Sequence, residues 1–311
     1  MPGRVDPEVL VIGAACVDIK GRSSVPLALG TSNQGLVRVA CGGAGRNIAE
    51  NLARLGVTTA LLSVVGADSY ARTILEETSA AGVSIENVRV ASGARSAVYL
   101  AVLDQHGHLS VSIDEMSCLE FLNPPYVYAH RSLIEKAKMV VVDANLSTNT
   151  IGTVLALAKR HNVPVCMATV ATALARKVKR YLHDFHIVIG NADEASVLCG
   201  CPITGIPEAT LGAQQLLAAG VRIAIITLGS QGLVYASGEG HGFIPAIQTE
   251  VVDTTGAGDA LTAAVIYGYV NDFPVDEALR LGVSAATLTL SCRDTVCQDL
   301  TQETLYQRMV I

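Results

Sequence analysis

The chain has 311 residues, half of them hydrophobic, enough for one large α/β domain or two modest ones. Aliphatic residues dominate, Trp is absent and Phe is scarce, which suits parallel strands under helices and argues against base stacking on single-stranded nucleic acid. A net charge of −6 without a long run of Lys and Arg excludes nucleic-acid and membrane-surface partners.

After a polar tail over 1–8, residues 9–13 read as a buried strand whose end carries Asp18, at the place where open α/β sheets put ligands. Residues 20–40 break into short pieces that suit strands outside the main sheet. The run Gly42-Gly43-Ala44-Gly45 precedes helical apolar spacing over 47–55, with Gly56 as the stop. A strand over 59–65 and a helix near 69–81 follow, then two alternating runs, 96–103 and 108–113, that read as a hairpin turning at 104–107. From there strand and helix alternate: 139–143 and 151–161, 164–168 and a basic helix near 176–183, 187–189 and 193–199, then helix 209–219 and strand 223–228. This pattern predicts a three-layer α/β/α domain over 9–311 with a mostly parallel central sheet. Insertions near 20–40 and 96–115 would build a small β lid, whose open edges call for a second copy of the chain.

The eight cysteines (Cys16, Cys41, Cys118, Cys166, Cys199, Cys201, Cys292 and Cys297) include no C-x-x-C pair, and read as buried thiols of a reducing compartment. The apolar segment 9–17 lacks a cationic lead and makes a better first strand than a signal, so a cytoplasmic location is expected.

Chemistry concentrates in Asp253-Thr254-Thr255-Gly256-Ala257-Gly258-Asp259, which runs straight into a helix-compatible stretch over 260–270. Gly256, Ala257 and Gly258 free several backbone N–H groups to point at one place, and the helix beginning there adds its positive end, making an anion site. Asp259 on the first turn is placed to accept a hydroxyl proton during phosphoryl transfer. The competing reading is a Gly-rich turn with Asp259 as a plain N-terminal cap. No G-x-x-x-x-G-K-[ST] occurs, so a P-loop is excluded. The glycines of Thr227-Leu228-Gly229-Ser230-Gln231-Gly232, after an apolar strand, would let a nucleotide approach the backbone. Asn191 and Glu194, three residues apart, could organise hydrated Mg²⁺, or simply begin a helix. Asp18, Gly42, Gly43 and Asn47 offer a carboxylate, bare backbone and an amide for vicinal hydroxyls. The Arg176, Lys177, Lys179 and Arg180 cluster reads as a solvated helix face.

Taken together and in this order, Gly42-Gly43…Asn47, Asn191…Glu194, Thr227-Leu228-Gly229 and the run 253–259 resemble the ribokinase-like (PfkB) carbohydrate kinases over about 9–300. Within that family, Ser32-Asn33-Gln34-Gly35, the run 42–52 and Asp143-Ala144-Asn145-Leu146-Ser147 are similar to the pseudouridine kinases. The resemblance implies ATP and Mg²⁺ as cofactors and phosphorylation of pseudouridine at its 5′ hydroxyl. Other acceptors such as ribose, adenosine or a ketohexose, or a ligand-binding pseudokinase, are the alternatives. It assigns ribose contacts to Asp18, Gly43, Asn47 and Asn145 within the Gly42–Arg46 neighbourhood, base contacts to Asn33, Ser96, Tyr99 and Asp114, and the catalytic base to Asp259. It places nucleotide and metal contacts at Asn191, Glu194, Thr227, Gly229 and Gly232, and a monovalent cation such as K⁺ at Asp253 and Thr255. One departure stands out: where those kinases carry an acidic residue followed by Pro, this chain reads Met167-Ala168-Thr169-Val170.

Overall fold

The computed structural model describes residues 6–309; the first five residues of the expected polar tail lie outside the described residues. The strands in chain order are β1 (Val9–Ile12), β2 (Cys16–Ser23), β3 (Gly35–Gly42), β4 (Thr59–Gly66), β5 (Val88–Ala91), β6 (Ala97–Leu103), β7 (Leu109–Glu115), β8 (Met139–Asp143), β9 (Val165–Ala168), β10 (Ile187–Asn191), β11 (Ile223–Thr227), β12 (Gly232–Ser237) and β13 (Gly240–Pro245). The α-helices are α1 (Ala44–Arg54), α2 (Ser69–Ala80), α3 (Pro124–Ala129), α4 (Arg131–Lys136), α5 (Thr148–Arg160), α6 (Thr172–Val178), α7 (Ala192–Cys199), α8 (Ile206–Ala218), α9 (Ala257–Val270), α10 (Val275–Leu290) and α11 (Gln302–Gln307).

Nine strands form the main sheet in the order β13-β12-β11-β10-β9-β8-β1-β4-β5. Pairing is parallel from β5 through β11, and the β12–β13 hairpin closes one edge antiparallel. The short apolar strands make sense because both faces are covered. Val9 and Val11 belong to a core with α1, α9 and α10, while Leu10 and Ile12 pack into a second core with α5 and α8. A strand buried on both sides reads as a continuous apolar run, as β1 does. This is the ribokinase-like three-layer fold. Chain order reverses at β1, which lies between β8 and β4, and such a switch point opens a crevice at the carboxyl ends of the strands.

The remaining strands make a separate four-stranded sheet, β3-β2-β6-β7, that forms the lid. Its register sets Ala40, Asp18, Tyr99 and Asp114 in one row across the sheet. Side chains alternate across a strand, so this face is polar, with Lys20 two residues along from Asp18. The opposite face carries Val37, Val39, Leu100, Val111 and Ile113, all exposed. Asp18 therefore sits on a lid strand, not at the end of β1 as its sequence position suggested.

Two of the expected free thiols, Cys292 and Cys297, are joined in a disulfide with Cα atoms 5.6 Å apart; the other six cysteines are free. Among the described residues no helix is long and apolar enough to cross a membrane.

Candidate active site

Helix α9 begins at Gly256, whose backbone is left-handed (φ 84°). A side chain there would run into the carbonyl oxygen of Thr295, so glycine is required both by φ and by the close approach. The loop 292–297, pinned by the disulfide and by a 3.0 Å bond from Thr295 Oγ1 to the Cys41 carbonyl, thus backs the Gly-Ala-Gly run. A β-carbon on Gly258 would meet no atom, which leaves the helix start open towards the cleft.

Asp259 lies in the first turn of α9 and keeps partial exposure to the cleft. Asn47 Nδ2, from α1, donates to Asp259 Oδ2 at 2.9 Å, joining groups 212 residues apart. Burial raises the Asp259 carboxyl to about 7; the Asn47 bond opposes that rise, and the charges of Asp143, Asp18 and Glu194 add to it. A carboxylate poised near neutrality is what a general base requires.

Around this pair the structure distributes the expected acceptor-side residues unevenly. Asp18 is 6% exposed, and among the described residues its only side-chain donor is the Cys16 thiol, at 3.4 Å. Burial raises its carboxyl too. Gly42 is needed beside it, since any side chain would collide with the Asp18 carboxylate. Gly43, with φ 95°, and Gly45 bring the start of α1 against Ala14 and Gly13. Tyr99 and Asp114 share the Asp18 row on the lid. Asn145 sits beside Asp143, to whose Oδ1 its backbone N–H donates at 2.8 Å.

Three residues assigned to the substrate are engaged elsewhere. Asn33 uses both ends of its amide on its own loop: Oδ1 accepts from Ala28 N–H at 2.8 Å and Nδ2 donates to the Ala28 carbonyl at 2.9 Å. Ser96 Oγ donates to Asp68 Oδ1 at 2.7 Å and accepts from Gly66 N–H, fastening the lid's root to the cap of α2. Arg46 is 4% exposed and is spent on Glu50, on Thr78 Oγ1 at 3.2 Å and on the Cys41 carbonyl at 3.1 Å. It also donates to Asn47 Oδ1 at 3.3 Å, so its bearing on the site is to orient Asn47.

Asn191 and Glu194 form a reciprocal capping box at the start of α7. Glu194 Oε2 accepts from Asn191 N–H at 3.0 Å and from Thr169 Oγ1 at 2.5 Å, and Oε1 accepts from Asn191 Nδ2 at 3.0 Å. A carboxylate has about four lone-pair sites, so Glu194 has room for a metal-bound water rather than for direct ligation. Among the described residues no cluster of three or more His, Cys, Asp or Glu could hold a metal by itself. The Thr169 hydroxyl is presented by a tight turn in which Ala171 N–H reaches the Thr169 carbonyl at 2.7 Å and Val170 takes φ 63°. A β-branched residue is strained there, and the strain falls where the sequence departs from its resemblance.

Thr227, Gly229 and Gly232 line a cavity of about 420 Å³ together with Ala257 and Gly258. The glycine at 232 is forced, since φ is 117° and a side chain would strike the Ile244 carbonyl. Val283, Ala286, Thr287 and Leu290 of α10 complete the wall; the small residues of that helix were the unread signal. A larger open hollow, of about 750 Å³, shares no lining residue with the Asp259 loop.

The sequence also left Asp143 without a role. It is fully buried at the end of β8, and its Oδ2 accepts from Ala14 N–H at 2.7 Å and Gly45 N–H at 3.0 Å, clamping the β1 loop to the start of α1. Lys177, expected on a solvated face, is half-buried; burial lowers its pKa and the charge of Asp143 opposes that. Asp253 and Thr255, the expected monovalent-cation corner, already hold a cation: Lys20 Nζ donates to Asp253 Oδ2 at 2.8 Å and to Thr255 Oγ1 at 2.6 Å.

A helix start suited to negative charge stands beside a carboxylate poised near neutrality, alongside a small second sheet on a mostly parallel one. That combination defines a sugar or nucleoside kinase of ribokinase-like fold. The chain belongs to the pfkB family of carbohydrate kinases, matching the family over residues 6–300, and is thus a phosphotransferase. It is similar to pseudouridine kinase of Escherichia coli, with 33% identity over 94% of this chain and 93% of that one. Guanosine-inosine kinase of Exiguobacterium acetylicum is 28% identical over 90% of this chain and 93% of its own length. In fold it resembles Arabidopsis thaliana ribokinase complexed with ribose and ATP, with TM-score 0.83 and 22% identity over 99% of this chain and 100% of that one.

Proposed function

We propose that the protein phosphorylates pseudouridine at its 5′ hydroxyl with ATP, giving pseudouridine 5′-phosphate and ADP. The observation that carries transfer to a hydroxyl is the Asn47–Asp259 hydrogen bond, which joins the acceptor side of the cleft to the mouth of the anion hole. As the acceptor oxygen bonds to the γ-phosphorus, the bond from phosphorus to the bridging oxygen of ADP breaks and the hydroxyl proton passes to Asp259. The N–H groups at Gly256–Gly258 and the start of α9 stabilise the charge on the transferring group. ATP would occupy the cavity lined by Thr227, Gly229, Gly232 and α10, and Glu194, with Asn191, would hold hydrated Mg²⁺, which would supply positive charge to the phosphates. The monovalent cation implied by the resemblance meets Lys20 already seated at Asp253 and Thr255.

The choice of pseudouridine is supported by the 33% identical relative and by the polar row on the lid. Pseudouridine carries one ring N–H more than uridine, and with Asn33 spent on its own loop the acceptor for it is Asp114. The exposed apolar face of the lid supports a homodimer in which that face is covered by a second copy. The test is kcat/KM for pseudouridine, uridine, inosine, adenosine and ribose. Asp114 is exposed on β7, so the preference approaches the ~10⁴-fold of a buried polar contact only if the bound nucleoside covers it. Equal turnover of uridine or ribose would refute the narrower reading, and preference for inosine would favour the guanosine-inosine type of acceptor.

A further inference from the structure

We propose that Lys20 is the resident cation of the anion-hole loop, a positioning residue that ties the lid to this loop and makes phosphoryl transfer independent of inorganic monovalent cations. Lys20 lies on β2, on the polar face of the lid next to the Asp18 row. Its ammonium reaches 233 residues along the chain to Asp253 Oδ2 at 2.8 Å and Thr255 Oγ1 at 2.6 Å. The lysine side chain is 17% exposed and that of Asp253 29%, so the pair is shielded from water more than a surface ion pair is. The second oxygen of Asp253 accepts from Thr255 N–H at 2.8 Å, which fixes the loop just ahead of Gly256. The side-chain oxygens facing the lid are therefore filled by a positive charge covalently attached to the lid.

An ammonium and a potassium ion carry the same charge and take oxygen neighbours at similar separations, so one can do the electrostatic work of the other. Two consequences follow from tethering it. The charge of Asp253 is neutralised next to a site that must receive phosphate oxygens, without a second ligand to recruit. Because the cation arrives on the lid, the loop is completed only when β2 lies over the cleft, which couples closure over the acceptor to assembly of the anion hole.

The experiment compares the parent with Lys20→Met and Lys20→Arg in potassium chloride and in choline chloride at equal ionic strength. The inference rests on phosphotransfer by this site for its rate readout, so the assay uses whichever acceptor in the panel is turned over. Thermal melting with a non-hydrolysable ATP analogue is read in parallel and needs no acceptor. The parent should turn over at the same rate in both salts, within about twofold, and melt at the same temperature. Lys20→Met should lose roughly 10²-fold in choline, as when a stabilising donor is removed from a transition state. It should recover at least tenfold of that in potassium, and potassium should raise its melting temperature by binding the vacated corner. Lys20→Arg, which keeps the charge, should respond to potassium less than Lys20→Met. Strong potassium activation of the parent overturns the proposal, as does a Lys20→Met enzyme whose rate and melting ignore potassium. Absence of turnover with every acceptor, with the melting pattern intact, would reject the substrate reading and leave the Lys20 assignment standing.

Discussion

Replacing Asp259 by Asn should remove activity and at the same time stabilise the protein. The substitution keeps the shape of the side chain and an oxygen to accept from Asn47, but it removes the proton acceptor, so turnover should fall by about 10²–10⁴-fold with nucleotide binding retained. Stability follows from linkage. The folded carboxyl titrates at about 7 against an ordinary 3.8, so the folded state favours the protonated form. Its contribution is fully present below 3.8 and is lost as pH rises through 7. Each pH unit between the two values is worth about 1.4 kcal/mol, a ceiling of roughly 4 kcal/mol; partial exposure to the cleft reduces this to about 1–2 kcal/mol. For a chain of this size that is about 2–4 °C in melting temperature. Melting of parent and variant from ~pH 3.5 to ~pH 8.5 should diverge between ~pH 4 and ~pH 7, with the variant higher at the alkaline end. A variant less stable than the parent at pH 8, or a single-turnover rate within tenfold of it, would refute the assignment of Asp259 as a partly buried, reluctant base.

Asn47→Ala removes the donor that holds the Asp259 pKa down; the acid limb of the pH profile of kcat should move above pH 7, and an unmoved limb would separate the two residues. Thr169→Val leaves Glu194 Oε2 one donor short, and should change the Mg²⁺ concentration for half-maximal rate while leaving the acceptor KM unaltered; an unchanged titration would make this corner a helix start and nothing more. Ile113→Lys on the exposed lid face should convert a dimer to a monomer in light scattering; a monomeric parent at working concentration would contradict the pairing.

The inner strands of the sheet were legible because they obey one simple rule, continuous apolar runs between helical periods, and β8 at 139–143 follows it to the residue; β5 and the β12–β13 hairpin at the two edges went unread. The Asp259 loop was legible because glycine spacing and a following apolar helix are local facts. What the sequence hid was commitment. Asn33 and Ser96 carry the same polar atoms whether they face a nucleoside or their own backbone, and only the fold shows that loop 24–34 and Asp68 have claimed them. Lys20 was equally mute, since its partners lie more than 230 residues away. Lys177 was misread because its neighbours along the chain are basic, although the helix turns this one side chain inward.

The same accounting of partners explains how several carboxylates can share one cleft. Asp143 takes three backbone N–H groups and is fixed; Glu194 is held by Asn191 and Thr169; Asp253 is neutralised by Lys20, which, against the effect of burial, keeps it below the usual carboxylate range. Each is largely compensated inside the protein, Glu194 keeping room for a metal-bound water. Asp18 and Asp259 differ. Among the described residues one accepts a side-chain hydrogen bond from a thiol alone and the other from Asn47 alone, and burial raises both pKa values, as it raises that of Asp143 in spite of its three donors. A buried carboxylate short of donors gains most from hydroxyls brought to it, so a polyhydroxyl ligand is drawn to these two positions. In the proposed reaction, hydroxyls that remain unreacted would stabilise the charge of Asp18, whereas the hydroxyl at Asp259 would face the anion hole and give up its proton. On the proposed function, selection of the acceptor and choice of the reacting oxygen would come from the same cause, the uneven supply of donors to carboxylates held close together.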